Sequence, residues 1–329
     1  MACSSSLASE SAGWFPNLTW TSSPAARPER PDAAVVGQPV GRVQSPAADA
    51  AAWRLQRDGH TLIPSRPFCL EICAGSGRLT AELRRRGLDA WAVGQKGGRL
   101  TPETSAWLYV DLTSTSDAPI LRKLLAHPQL VYVHFAPPHE TASTARDKAL
   151  PGAPGGGPPP LRSADYPLGF PDLQQRLPRE WPRVLAANAI YQAVADCIHV
   201  LRQRRVAWSI GNPRGSYLWL IPFVRDLISR SDVAEVQLQH CMLGGARPKW
   251  TSFWHSPPGM LAALHRVCDG SHVHASWKRR ADGTSATALE TVYPVQLCEA
   301  IASEVMGHLQ LTQRSPLAVV RSRGSAATP

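Results

Sequence analysis

The segment Leu70-Glu-Ile-Cys-Ala-Gly-Ser-Gly-Arg-Leu79 constrains this chain more than any other. A short apolar run, Phe68–Cys73, reads as a buried strand and ends beside an acidic residue. It passes through a Gly-x-Gly turn directly into an amphipathic stretch, 77–86, with Leu79 and Leu83 on one side and arginines on the other. Glycines at such a turn let the backbone reverse tightly and approach a ligand closely. In an open α/β sheet, the crevice beyond the strand C-termini is where ligands bind. The turn lacks the Gly-Lys-Ser/Thr ending of a phosphate-binding Walker loop, and it is not a full Gly-x-Gly-x-x-Gly. Glu71 is an acceptor suited either to an amino group or to organising the turn. A purely structural tight turn accounts for the same residues.

The rest of the ordered chain alternates in the same way. Strands are expected at 88–93, 107–110, 130–135, 206–210 and 233–241, and helices at 118–126, 218–228 and 294–309. The clearest helix runs from Val184 to Leu201, where Val184, Ala187, Tyr191, Val194, Ile198 and Leu201 recur at steps of three and four. Alternating strands and helices predict an α/β fold, a mainly parallel sheet with helices on both faces. Residues 1–60 are rich in Ser, Ala and Pro and are expected to form a disordered extension, and 313–329 a disordered tail. Between them, 61–312 is expected to be the folded domain. It is interrupted at 148–182 by a Gly/Pro-rich long loop, either a lid or a plain insertion.

The turn resembles motif I of class I methyltransferases, which bind S-adenosylmethionine on a Rossmann-like sheet. It is most similar to the Asp-Leu-Phe-Ala-Gly-x-Gly form of the DNA cytosine-5 methyltransferases, with Glu71 in place of the usual Asp. The resemblance spans roughly residues 66–310 and lies in the order of the motifs more than in their identity. It implies S-adenosylmethionine as cofactor, held by Glu71, Ala74, Gly75, Ser76, Gly77, Asp111 and Pro137. The family's ribose-holding acid at the end of the second strand is replaced by Gly94, with Gln95 a poor substitute beside it.

That family attacks cytosine C6 with a thiolate from a Pro-Cys loop after strand four, assisted by a Glu-Asn-Val segment after strand five. Here the corresponding stretches are Ala136-Pro137-Pro138-His139 and Ile210-Gly211-Asn212-Pro213. The resemblance therefore puts His139 at the nucleophile position and Gly211 at the acid position, with Asn212 beside it. Arg247, in Gly245-Ala-Arg-Pro-Lys-Trp-Thr251, matches the family's basic segment, and the helix after Tyr293-Pro294 matches the one that closes the sheet. An imidazole is not a soft, low-pKa thiolate, and glycine offers neither acid nor hydrogen bond. Three missing functional side chains point to an impaired or inactive relative, a pseudoenzyme. The alternatives are a non-catalytic nucleic-acid or protein binding module, and an amino-methyltransferase on DNA or RNA. The last would use the two prolines after strand four but lacks the polar residue that should precede them.

The net charge of +10 permits DNA, or RNA, as partner. Arg146, Arg162, Arg214, Arg247 and Lys249 fall on expected strand-end loops within reach of phosphates, and Trp219, Trp250, Trp254 and Trp277 are candidates to stack on bases. Each has a bland alternative as surface or core. A DNA substrate would require nuclear residence. The seven cysteines are irregularly spaced, which argues against a disulfide framework and for a reducing compartment. Cys268, His272 and His274 have ligand-like spacing but no fourth partner nearby, so no metal site is expected. The N-terminus has no secretory signal, its Ser/Ala content leaves a transit peptide open, and no apolar run approaches a membrane span.

Overall fold

The computed structural model describes residues 66–95, 103–148, 157–277 and 286–314. The expected extension at 1–60, the Pro151–Gly156 part of the Gly/Pro run and the tail beyond Arg314 lie outside the described residues, as does the basic triplet Lys278-Arg279-Arg280.

Seven strands form one sheet: β1 (Phe68–Ile72), β2 (Asp89–Gly94), β3 (Trp107–Tyr109), β4 (Leu130–Phe135), β5 (Ala207–Pro213), β6 (Ala234–Gln239) and β7 (Trp250–Ser256). Their spatial order is β3-β2-β1-β4-β5-β7-β6. The first five pair in parallel, and β7 inserts antiparallel between β5 and β6. This order with one reversed strand is the Rossmann-like class I methyltransferase fold. The helices are α1 (Arg78–Arg85), α2 (Ala118–Leu125), α3 (Leu173–Arg176), α4 (Trp181–Gln203), α5 (Pro222–Ile228), α6 (Ala286–Leu289) and α7 (Val295–Arg314).

Side chains alternate across each strand, so the register divides the sheet into two faces. One face carries Phe68, Leu70, Ile72, Val133, Phe135, Trp208 and Ile210, packed under α2, α4 and α5. The other carries Cys69, Tyr132, Ala207, Val236 and Phe253, packed under α1 and α7 through Leu79, Leu83, Leu297 and Ile301. Both faces are covered, as a parallel sheet requires.

The expected strands and helices stand within three residues of their observed limits, except that α7 runs five residues past 309 to Arg314, into the stretch expected as a disordered tail. Cys73 leaves the first strand because its φ is +61°, already inside the turn. The fifth strand runs three residues further than expected, through Gly211-Asn212-Pro213, because β7 pairs with it to its end. The expected helix 218–228 is split into a 3-10 turn, Tyr217–Leu220, and α5, which starts at Pro222, where a proline's missing N–H costs nothing. Strand β7 itself went unread, because Trp-Thr-Ser-Phe-Trp-His-Ser lacks an apolar run. Inside 148–182 the described part is packed rather than open: Leu161, Leu173 and Val184 form a small buried cluster with Phe170 and Trp181 beside it. One helix does reach span length, against expectation: α4 has a mean hydropathy of 1.4 over its apolar window, but 56% of that window is buried against the sheet. It is the core helix of the first face.

Candidate functional site

The sheet's C-terminal edge gathers the turn after β1, the loop after β4 and the end of β5. In the turn, Gly75 and Gly77 take φ of +48° and +71°. A side chain at Gly77 would also meet Thr104 Cγ2 at 2.9 Å and Trp107 at 3.3 Å, so glycine is required twice over. Ala74 N–H donates to the Val93 carbonyl (3.2 Å), and the Ser76 carbonyl accepts from Glu103 N–H (2.8 Å). Glu71 Oε2 accepts from both the backbone N–H (2.7 Å) and the hydroxyl (2.6 Å) of Thr80. Thr80 lies in the first turn of α1, so the carboxyl fills one of the open donors at that helix start. Of the two roles foreseen for Glu71, the geometry assigns this oxygen to organising the turn. Burial pushes its pKa up to about 7, against the opposing bonds from Thr80.

The second strand ends at Gly94, as expected. A Cβ there would lie 3.3 Å from Trp107 Cζ3, a tight contact with the indole of the neighbouring strand. Trp107 is buried and stacks on Tyr109 at 6.1 Å. Asp111 follows β3, and its Oδ1 accepts from the backbone N–H (2.8 Å) and hydroxyl (2.7 Å) of Thr113, closing its own turn. The residues present therefore build the glycine turn but supply no carboxylate at the end of β2. As a set they do not fit S-adenosylmethionine in the manner the resembling family holds it.

The loop after β4 is pinned from three sides. Asn212 Nδ2 donates to the Pro137 carbonyl (2.9 Å), and the Tyr191 hydroxyl donates to the Pro138 carbonyl (2.6 Å). Arg162 donates through Nε to the Thr141 carbonyl (3.1 Å) and through Nη2 to the Thr141 hydroxyl (3.0 Å). Asn212 Oδ1 is sealed and has no partner among the described residues. His139 stands on this loop, half-buried. Burial, with the Lys249 ammonium nearby, holds its pKa down at about 4, so the imidazole is neutral at pH 7. Cys73, in the cofactor turn, is pushed up to about 12 by burial and is no thiolate.

Gly211, which the resemblance puts at the acid position, has no room for any side chain. A Cβ at Gly211 would lie 2.7 Å from Cε1 of Phe253, its direct partner on β7, and against the Tyr293 hydroxyl. The same hydroxyl lies 3.3 Å from His134 Nε2, whose Nδ1 meets the Ser209 hydroxyl at 2.7 Å, and Ser209 in turn meets the Tyr132 hydroxyl at 2.6 Å. A chain of polar side chains thus crosses β4 and β5 beneath α7 in the space a glutamate would need. From sequence, Tyr293 stood out only as the start of the last helix, and this run of polar side chains did not stand out. Polar residues at every second position of otherwise apolar strands, Tyr132 and His134, were the available signal.

Most of the basic residues expected to meet phosphates are spent inside the protein. Arg162 is 1% exposed, and its remaining donors reach the Pro167 carbonyl, Asn188 Oδ1 and the Val184 carbonyl. This corrects its reading as a surface contact. Arg247 is buried in an ion pair with Glu290 (2.8 Å) and donates to the Ser276 carbonyl (2.9 Å). Lys249 Nζ donates to the Glu290 carbonyl at 2.5 Å, and burial lowers its pKa to about 8. Arg146 reaches the Pro159 carbonyl (3.0 Å) and Glu180 (3.4 Å). Arg214 alone of the five is exposed, with its guanidinium 4.1 Å over the Trp250 ring. Trp219 and Trp254 pack on each other at 6.4 Å as core residues, not as free stacking surfaces, while Trp277 is 48% exposed.

No family model and no curated protein matches the chain. Similar solved structures include the Entamoeba histolytica methyltransferase EhMeth, at 8% identity and TM-score 0.29, covering 59% of this chain and 53% of that one. The S. pombe Dnmt2 methyltransferase aligns at 9% identity and TM-score 0.32, covering 65% and 62%. A Spodoptera frugiperda DNMT2 mutant aligns at 11% identity and TM-score 0.26, covering 58% and 50%. The aligned part is thus 50% to 62% of those proteins' length. The fold assignment rests on strand order and register, not on these alignments.

Proposed function

We propose that this chain is a methyltransferase-fold protein that has lost cytosine-5 transfer and works as a nucleic-acid binding module. The observation that carries the reading is Gly211. The acid position is closed from within by Phe253 and Tyr293, so the loss is built into the packing rather than confined to one replaced side chain. Two further features support it. His139, at the nucleophile position, is a neutral imidazole, and the Cys73 thiol in the turn after β1 stays protonated. The net charge of +10 supports a polyanionic partner, DNA or RNA, met through a general field and the exposed Arg214 rather than through the buried arginines.

The amino-methyltransferase reading receives less support. Ala136 offers no side-chain acceptor, and Asn212 Oδ1, on the adjoining strand end, is sealed from solvent.

The test is a paired assay on the full chain with double-stranded DNA, single-stranded DNA and RNA. Binding is followed by fluorescence anisotropy over a salt series, and transfer by tritiated S-adenosylmethionine in the same samples. The expected outcome is salt-dependent binding without incorporation. Methyl incorporation at cytosine C5 would contradict the loss of catalysis. Absence of binding at low salt would contradict the nucleic-acid partner.

A further inference from the structure

Beyond the far edge of the sheet lies a second group of chemically capable side chains. Cys241 sits on the 3-10 turn His240–Leu243 that follows β6. Cys268, His272 and His274 sit on residues 265–277, a strap with no helix and only one isolated bridge, Arg266 to Leu238. One ligand atom from each of the four residues lies within 4.8 Å of all the others. Cys268 Sγ is 3.4 Å from His274 Nε2 and 3.9 Å from His272 Nε2, and the two imidazole nitrogens are 3.1 Å apart. A tetrahedral zinc ion with bonds of about 2.0–2.1 Å to nitrogen and about 2.3 Å to sulfur separates its ligand atoms by roughly 3.3–3.8 Å. The observed separations bracket that range.

The strap itself makes the case stronger. Every residue from His265 to Trp277 is exposed except Cys268 and His274, and Val273 is 98% exposed. Its larger apolar side chains, Val267, Val273 and Trp277, are all about half exposed or more, so burial offsets little of the entropy of ordering it. Its turn is nevertheless shaped around the sulfur. Gly270, with φ of +76°, donates its N–H to Cys268 Sγ at 3.4 Å, and Cys268 N–H donates to Gln239 Oε1 at 2.7 Å. An amide aimed at a thiolate is the kind of supporting contact that metal-bound sulfur receives.

We propose that Cys241, Cys268, His272 and His274 form a closed Cys2His2 zinc site. Four protein ligands leave no open position, which makes the ion structural rather than catalytic. Two thiols release their protons to solvent, and the two thiolates balance the charge of the ion, with both imidazoles neutral. Thiolate and imidazole donors favour zinc over magnesium or calcium. The ion would fasten a strap that also donates Ala275 N–H to the Ala246 carbonyl (2.9 Å) and offers the Ser276 carbonyl to Arg247, three residues before β7. Cys241 lies 27 positions before Cys268, which is why local spacing shows only three of the four ligands.

Metal analysis of the full chain, purified under reducing conditions without chelator, tests the site. One zinc per chain is expected. Cys268→Ser and His272→Ala should lose it, whereas His272→Cys should keep it as a Cys3His site. Cobalt substitution should give the visible d–d bands of a tetrahedral ion with a sulfur charge-transfer band that strengthens in His272→Cys. A folded wild-type chain that holds no zinc and takes up no cobalt would overturn the proposal. So would a cobalt spectrum that Cys268→Ser leaves unchanged, or a Cys241–Cys268 disulfide found by non-reducing mass analysis. Should Cys268→Ser fail to fold, the wild-type stoichiometry and the His272→Cys spectrum still decide.

Discussion

Gly211 illustrates how a residue read as a gap can be a requirement. From sequence, glycine at the acid position means a missing carboxylate. In the structure it is a site where even a methyl group collides with Phe253 and the Tyr293 hydroxyl. Gly211→Ala should therefore cost about 1–3 kcal/mol of stability by overpacking, read by urea denaturation. Pairing it with Tyr293→Phe should cost less than the sum of the two single changes, since the second removes one of the colliding atoms. Strict additivity would show that the Tyr293 hydroxyl is not what closes the position. Gly211→Glu should fail to give a folded chain. Glu71 carries the opposite lesson. Its place before the turn was legible in sequence, and the structure shows one oxygen committed to Thr80. Glu71→Ala should cost about 1–2 kcal/mol through loss of a helix-start partner.

At the scale of elements, strands and helices with continuous apolar patterning were legible, because burial on both faces writes itself into the sequence as uninterrupted runs. Strand β7 was not, because the buried polar residues Thr251, Ser252 and His255 break its apolar pattern; Thr251 is offset by a partner on another element, His240, at 2.9 Å. The same limit hid the role of Arg162. Its local neighbours look like a loop, and its acceptors come from the loop after β4, from α4 and from the turn before α3. Arg162 joins these pieces, so Arg162→Met should leave several carbonyls without donors and cost roughly 3 kcal/mol or more. Hydrogen exchange should localise the damage: the amides of Ala142 and Tyr217, bonded to the His139 and Ala142 carbonyls, should lose protection before those of β1 and β4. Unchanged protection at Ala142 would mean that the loop is held by Asn212 and Tyr191 alone.

Across the whole molecule, the buried ionisable groups set a pH dependence. Burial holds His134 and His240 at about 3 and His139 at about 4, whereas the unfolded chain protonates each near 6.5. Stability from these groups is complete above pH 6.5 and is lost as pH falls toward their folded values. Glu71 acts oppositely: raised to about 7, it favours the folded state at low pH and loses that contribution as pH rises from its unfolded value of 4.5. Between about pH 4.5 and 6.5, unfolding takes up three protons at the histidines and releases one at Glu71. The net uptake makes stability rise with pH in that window, and His199, His255 and His308, also held below the ordinary histidine value by burial, act in the same direction. Denaturant titrations across the window should show that slope, and a flat profile would refute the buried neutral state of the histidines.

The same whole-molecule view separates fold from chemistry. The sheet, its register and the glycine turn are those of a methyltransferase fold, while Gly94 puts no carboxylate at the end of β2 and Gly211 is walled in by Phe253 and Tyr293. Calorimetric titration of the full chain with S-adenosylmethionine tests this most directly. Loss of the ribose hydrogen bonds, worth about 2–4 kcal/mol together, should leave a Kd of about millimolar or weaker. A saturable isotherm with a Kd of about micromolar would contradict the account, because it would show that the site accepts the cofactor without an acid at Gly94.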